Sequence, residues 1–316
     1  QRLGLAGLLL IKAEQPVAQR HELVPDGVVG TMSLVVRIEA DLALDGGHAM
    51  PAQQAAAAAK HLEIEAFGVD LEKIDALDAM AELAGAAAAV GRALEAASRY
   101  RGRRVVVTAG PTREAVDPVR FLSNRSSGRM GFALAAAAWR RGADVDLIAG
   151  PTILAPPAGP RLHRVETAEE MKRAVQRAIA DADLLIMSAA VADFRPKAAP
   201  SSKIKKEAKP EAIPLESAPD ILKDTAGDRP GRCVVVGFAL ETEDGEANAR
   251  RKLESKGLDL VVLNETGPDA GFETETNRVV LLDREGKAEA LPLLSKDEVA
   301  DEILDRVEGR LTRGGG

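Results

Sequence analysis

Residues 103–131 read RRVVVTAGPTREAVDPVRFLSNRSSGRMG. Val105-Val106-Val107 is a short β-branched apolar run, the composition of a strand buried on both faces in a parallel sheet. Thr108-Ala109-Gly110-Pro111-Thr112 ends it with small and turn-forming residues. After a polar excursion, Ser123-Asn124-Arg125-Ser126-Ser127-Gly128 leads into an alanine-rich helical run, Phe132 to Arg141. A strand, a small-residue loop and a helix start put backbone N–H groups where they can face an anion. A plainer reading stays open, in which Ser126 or Ser127 only caps the helix, because the G-x-G-x-x-G and G-x-x-x-x-G-K-[ST] fingerprints are both absent.

Downstream, strand and helix patterns alternate. Val145–Ile148 is a second strand ended by Gly150-Pro151, and Thr167-Ala168-Glu169-Glu170 opens a helix to about Ala182 with a capping-box arrangement. Leu184–Met187, Val234–Phe238 and Leu260–Leu263 are further buried strands, with a helix over Glu246–Lys256 between the last two. Val279–Leu282 follows with no intervening helix and is predicted to run antiparallel at an edge; a helix over Lys296–Val307 closes the pattern. The alternation predicts an α/β, doubly wound, mostly parallel sheet in three layers, Rossmann-like, over residues 101–316. In such sheets ligands sit beyond the carboxyl ends of the strands, near a switch in strand order. The unusual loops all follow strands, so they are expected to crowd one rim and build one shared site.

Residues 1–100 are a poorly defined, alanine-rich N-terminal region. Short apolar pieces such as Val35-Val36-Arg37-Ile38 lack stable periodicity, and the alanine tracts 55–59 and 86–89 suggest helices over Pro51–Ala66 and Leu71–Ser98. The whole chain has 316 residues, 46% of them hydrophobic, and a formal charge of -7. That balance suits a globular protein with a sizeable core and argues against a general nucleic-acid-binding surface. Cys233 is the single cysteine, which excludes an intramolecular disulfide framework, and the four histidines match no metal-ligand spacing. No apolar run approaches the ~18–20 residues that span a bilayer. A soluble, cytoplasmic protein without a membrane partner is expected.

Basic side chains concentrate on the predicted rim. Lys203, Lys205, Lys206 and Lys209 lie in the run KIKKEAK, which reads either as a solvated loop or as an extended arm able to set an ammonium against a phosphate. Lys252 and Lys256 are four apart on one helix, spaced to converge on a second phosphate or simply to face solvent. Asp193 follows a small-residue strand end, where a carboxylate can take hydrogen bonds from a ligand, help hold a metal, or cap a turn.

Taken in order, VTAGPTRE (107–114), DPVR (117–120), SNRSSGRMG (123–131), AAVADFRP (189–196), KIKK (203–206), PDIL (219–222) and VGFA (236–239) closely resemble the bacterial phosphopantothenate–cysteine ligase, the C-terminal half of a bifunctional enzyme of coenzyme A synthesis. The resemblance covers residues 103–308. It implies CTP-dependent ligation of L-cysteine to 4'-phosphopantothenate through an acyl-cytidylate, with a divalent cation (Mg2+) and a homodimer whose 195–216 arm reaches the neighbouring subunit. By the same resemblance Asn124 and Ala190 contact the substrate or intermediate. Asp193, Lys203, Pro219, Asp220, Ile221, Leu222, Phe238, Lys252 and Lys256 fall on CTP-binding positions, with Asn124 and Lys203 as the catalytic pair. Lys203 is expected to stabilise the activation step electrostatically.

This sequence departs from the pattern at Ala218, where the family has Asn before Pro-Asp-Ile, and at Asn264-Glu265, where Asn-Asp is common. In the bifunctional enzymes the preceding half is a flavodoxin-like, FMN-dependent decarboxylase with a Pro-x-Met-Asn-x-x-Met-Trp segment; His48-Ala49-Met50-Pro51 only echoes it. Residues 1–100 are therefore expected to be degenerate or partial, with FMN only if a decarboxylase domain functions. The competing readings are that bifunctional decarboxylase/ligase, a Rossmann-type dinucleotide oxidoreductase, and an inactive relative that only binds nucleotide.

Overall fold

The computed structural model describes residues 33–40, 59–67, 85, 88–89, 91–92, 98–205, 212–240, 244–264 and 274–311. The chain divides into two compact units, Gln1–Val90 and Gly91–Gly316.

In the first unit, Ser33–Ala40 pairs antiparallel with Ala59–Phe67, Val36 opposite Ile64 and Ile38 opposite Leu62. The helix predicted over 51–66 is thus overturned across its second half. Leu62, Ile64 and Ala66 alternate with His61, Glu63 and Glu65, and that period of two outweighs the helix propensity of the alanines before it. Of the helix predicted over 71–98, residues 85, 88, 89, 91 and 92 are helical; most of the remainder lies outside the described residues, as does the 48–51 segment.

The second unit carries an eight-stranded sheet. Its strands are β1 (Arg104–Ala109), β2 (Asp144–Ala149), β3 (Arg161–Arg164), β4 (Leu184–Met187), β5 (Val234–Leu240), β6 (Leu260–Asn264), β7 (Val279–Asp283) and β8 (Ala288–Ala290). Their spatial order is β8-β7-β6-β5-β4-β1-β2-β3. Strands β1 to β6 run parallel, while β7 and β8 are antiparallel additions. The antiparallel run expected at 279–282 is therefore present, but the edge itself is β8. At the far edge, β3 had no apolar signal to reveal it. Its Arg161 and His163 reach across to the buried carboxylate of Asp146 on β2, at 2.9–3.0 Å and 2.7 Å.

Consecutive apolar residues make these strands because both faces are covered. Val105, Val107, Leu184, Ile186, Val234 and Val236 point toward the layer of α1 (Arg129–Arg140) and α5 (Lys296–Glu308). Their alternates Val106, Leu185 and Val235 enter the opposite layer, with α2 (Ala168–Ile179), α3 (Ile221–Asp224) and α4 (Gly245–Ser255). Tyr100 enters the first layer fully buried, and its hydroxyl donates to the Leu304 carbonyl at 2.6 Å. The predicted capping box at 167–170 forms only in half. Thr167 accepts from the Glu170 amide, but the Glu170 carboxylate turns to the Glu166 amide; a complete box starts α5 at Ser295 and Glu298.

From β1 the chain moves outward through β2 to β3, then returns to the other side of β1 for β4, β5 and β6. The strand order therefore switches between β1 and β4, and a crevice opens beyond their carboxyl ends. Pro111 and Ala190 form a single parallel bridge there, and the Ala190 amide donates to the Gly110 carbonyl at 2.9 Å.

Candidate active site

The loop after β1 and the start of α1 form one wall of the crevice. Gly128 sits at the N-cap with φ 83° and has no side chain to offer; the serines before it serve only the outermost amides, Ser126 Oγ accepting from Gly128 at 3.3 Å and Ser127 Oγ from Arg129 at 3.5 Å. The first-turn amides of Met130 and Gly131 have no helical carbonyl four residues back, so they point out of the helix with the positive end of its dipole. Close packing is what brings them here. A Cβ on Gly131 would lie 2.5 Å from the Ala109 Cβ and 2.8 Å from the Ser188 Oγ, so only glycine lets α1 begin against the ends of β1 and β4. Thr152 Oγ1 donates to the Ser127 carbonyl at 2.8 Å and holds the loop from behind.

The second wall is the segment after β4. Ser188 Oγ donates to the Thr108 carbonyl at 2.5 Å, and the Ala192 amide donates to the buried Thr112 Oγ1 at 3.0 Å. Asn124 joins the two walls: its Nδ2 donates to the Val191 carbonyl at 2.9 Å and reaches the Ala190 carbonyl at 3.5 Å. The amide nitrogen is occupied, which leaves Oδ1 as the atom Asn124 can offer to a ligand.

Between the walls is a narrow cavity of about 50 Å3, bordered by Ser126 to Gly131, Ala190 and Phe238. Sites that enclose a whole small molecule run to ~300–1,000 Å3. This cavity therefore suits one group of a ligand, with the remainder lying over the open rim. Its floor holds residues that the motifs did not flag. Asn277 is buried and donates to Asn264 Oδ1 at 2.8 Å, and Lys296 borders the cavity while donating to the Thr274 carbonyl at 2.6 Å. Burial, and then the Arg129 charge, pull the Lys296 ammonium below the usual lysine value, against the pull of Glu275. Arg129 is held by Glu275 at 2.7 Å. A signal for Lys296 existed in the sequence: a lysine in the first turn of a helix opposes the dipole, so its charge has to be matched by something else.

Of the remaining candidates only Phe238 lines the cavity; the others are tied to segments that follow the neighbouring strands. The Asp193 side chain is exposed, and its backbone carbonyl accepts from the Ala218 amide at 2.9 Å, which brings the 218–222 segment alongside. Asp220 caps α3, accepting from the Lys223 amide, and pairs with Lys256. Burial raises the Asp220 carboxyl, but the Lys256 and Lys223 bonds outweigh it and hold it below the ordinary carboxylate value. Ile221 and Leu222 are core residues whose carbonyls accept from Thr225 and Arg229, so what they can offer a ligand is their backbone amides. Lys252 donates to the Phe238 carbonyl at 2.7 Å, and the Phe238 ring borders the cavity. Lys252 and Lys256 thus project to the same rim, each already held by an oxygen. Lys203 is exposed and has no partner among the described residues; Lys206 and Lys209 lie outside them. Among the described residues no three His, Cys, Asp or Glu side chains are grouped to hold a metal ion. Nor is any described helix long and apolar enough to cross a membrane.

Residues 100–311 match the model of the DNA/pantothenate metabolism flavoprotein C-terminal domain. The coenzyme A biosynthesis bifunctional protein CoaBC of Bacillus subtilis (strain 168) is 44% identical over 215 residues, which cover 67% of this chain and 53% of that protein. A cysteine/cysteine sulfinic acid decarboxylase from an unknown prokaryotic organism is also 44% identical, over 65% of this chain and 58% of its own length. The chain thus spans a little over half the length of these relatives. The crystal structure of the C-terminal domain of a CoaBC protein superposes with a TM-score of 0.58 at 40% identity, covering 68% of this chain and 98% of that domain. The chain belongs to the DNA/pantothenate metabolism flavoprotein C-terminal domain family.

Proposed function

We propose that residues 101–316 ligate L-cysteine to 4'-phosphopantothenate in coenzyme A biosynthesis, using CTP and passing through an acyl-cytidylate. The observation that carries this reading is the pairing of two anion-ready surfaces at one strand switch. One is the uncapped start of α1 with Lys296 beneath it; the other is the flank of Lys252, Lys256 and the 218–222 backbone. The cavity takes the phosphate of the acid, and the flank takes the nucleotide. A carboxylate oxygen of the acid attacks the α-phosphate of CTP, the bond to the β-phosphate breaks, and pyrophosphate leaves. The cysteine amine then attacks the acyl carbon, CMP leaves and the amine loses a proton.

In the first step Lys203 offsets the charge that develops at the α-phosphate. In the second, Asn124 Oδ1 accepts a hydrogen bond from the attacking amine, since Nδ2 is spent on the Val191 carbonyl. Mg2+ is commonly held by one or two carboxylates together with substrate phosphates, and Asp193, exposed and beside the 218–222 segment, fits that role. It would supply charge neutralisation on the triphosphate.

Homodimerisation has support in two short antiparallel pairs, 113–115 with 121–123 and 194–196 with 215–217. Val119 and Phe121 on one, and Phe194, Ile213 and Leu215 on the other, are large apolar side chains left exposed. The test of the reading is pyrophosphate release with CTP against ATP, with and without cysteine. Release that needs CTP and the phosphorylated acid but not cysteine is expected; release only with ATP, or none, overturns it. Bound FMN and release of CO2 would instead favour the bifunctional reading for residues 1–100.

A further inference from the structure

The DPVR segment does something that the ligation chemistry by itself leaves unexplained. The Asp117 side chain is fully buried, with five donors arrayed around it. Four belong to its own turn: the amides of Val119 and Arg120, each at 2.9 Å, and the Arg120 guanidinium through Nε and Nη2. The fifth is remote in sequence, the amide of Ile204, at 3.1 Å from Oδ2. Arg120 Nη2 in turn donates to the Ile204 carbonyl at 3.1 Å. Both polar groups of one peptide residue in the KIKK arm are therefore gripped by a single acid–base pair, and the side chains on either side, Lys203 and Lys205, remain exposed.

We propose that Asp117 and Arg120 form a latch that positions the Lys203 arm at the rim of the site, making Asp117 a positioning residue for the activation step. This rests on the role given to Lys203 above. The physical case is one of entropy. The arm has no regular secondary structure from 197 to 205 and no core side chains, so an unanchored lysine there would spread its charge over many positions. A two-point backbone grip at Ile204 fixes the chain one residue from the ammonium-bearing side chain while leaving that side chain free. The Arg120 hydrogen bond, outweighing burial, holds the Asp117 carboxyl well below the usual carboxylate range, so the latch keeps its charge throughout the neutral pH range.

Two variants test it. Asp117→Asn removes the carboxylate charge met by every bond of the cluster except the one from Arg120 to the Ile204 carbonyl. Ile204→Pro removes the arm's amide donor, and with it some backbone freedom at 203–204, without touching the turn. Hydrogen exchange of the full-length protein, read on peptides covering 198–205, is expected to quicken about tenfold or more in both, with the β1 and β4 peptides unchanged. Unchanged exchange in the arm overturns the latch. Ile204→Pro leaves the Asp117–Arg120 turn intact, so it carries the test even if Asp117→Asn does not fold.

Pyrophosphate release is then measured for Lys203→Gln, Asp117→Asn and the double variant. If the latch works through Lys203, Asp117→Asn slows release in the wild type and adds little in the Lys203→Gln background. Full additivity overturns the positioning role and makes Asp117 merely structural. Wild-type release by Lys203→Gln, with the arm exchanging faster in Asp117→Asn, refutes the role of Lys203 while the anchoring itself stands.

Discussion

Gly131→Ala sets two effects of opposite sign against each other at the mouth of the cavity. Gly131 is the third residue of α1, and alanine is the better helix former by ~1 kcal/mol, so local propensity alone predicts stabilisation. The tertiary structure predicts the reverse. The added methyl would stand 2.5 Å from the Ala109 Cβ, 2.8 Å from the Ser188 Oγ and 2.9 Å from the Thr108 carbonyl oxygen. Carbon atoms pack at about 3.5–4.0 Å, so α1 must retreat from the sheet by roughly 1 Å. Overpacking of this kind costs ~1–3 kcal/mol, enough to cancel or exceed the propensity gain.

The same retreat withdraws the Met130 and Gly131 amides from the position of the bound phosphate, and a misplacement of ~1 Å costs about a hundredfold in rate. We therefore expect kcat/KM for pyrophosphate release to fall by about two orders of magnitude. Denaturant unfolding should show a loss no larger than ~3 kcal/mol. Gly227→Ala is the control, because nothing lies within 4 Å of its added Cβ. Turnover within about twofold of wild type in Gly131→Ala, with an unaltered KM for the phosphorylated acid, would refute the assignment of the α1 start as the anion cradle.

Three further outcomes follow from individual contacts. Lys296→Met should raise KM for the phosphorylated acid by about 10- to 100-fold, the worth of one hydrogen bond to a charged group, with a loss of ~1–3 kcal/mol in stability because the Thr274 carbonyl loses the Lys296 donor. Lys256→Met removes the partner that lowers the Asp220 carboxyl in the fold. Because the folded Asp220 value is depressed, the pair's contribution, at most ~1 kcal/mol for partly exposed groups, is present above the unfolded value near pH ~3.9 and disappears as pH falls through the folded value. Wild-type and variant stabilities should therefore differ at pH 7 and converge in acid, as followed by denaturant titration. Burial pushes the Cys233 thiol up to about 11, so alkylation by iodoacetamide at neutral pH should run about two orders of magnitude slower than for an unfolded control.

The doubly wound core was legible because its strands are covered on both sides, and such strands must be apolar at every position. VVV, LLIM and LVVL announce themselves whatever surrounds them. The edges were not. Strand β3 (RLHR) is held by pairing to β2 and by the Asp146 carboxylate, neither of which leaves an apolar trace. In the first unit, the alternation at 61–66 that pairs with 33–40 is hidden by the alanine tract before it, whose helix propensity dominates the local pattern. The site divides along the same line. The rim loops were visible as breaks after strands, and Phe238 and Ala190 do meet the SNRSSG loop at one cavity. Asn277 and Lys296 arrive there from beyond β6, and only folding puts them under the start of α1.

What the residue order determined by itself was local: which runs are buried strands and where glycine permits a tight turn. Those depend on backbone sterics and on burial, both of which act within a few residues. Which polar atoms are already spent was decided only by the tertiary structure. It turned the Asn124 amide to the Val191 carbonyl, set Lys256 against Asp220, buried Ile221 and Leu222, and locked Ile204 between Asp117 and Arg120. Hydrogen bonds and ion pairs join groups that lie far apart along the chain, and their partners exist only once the sheet has brought its loops to a single rim.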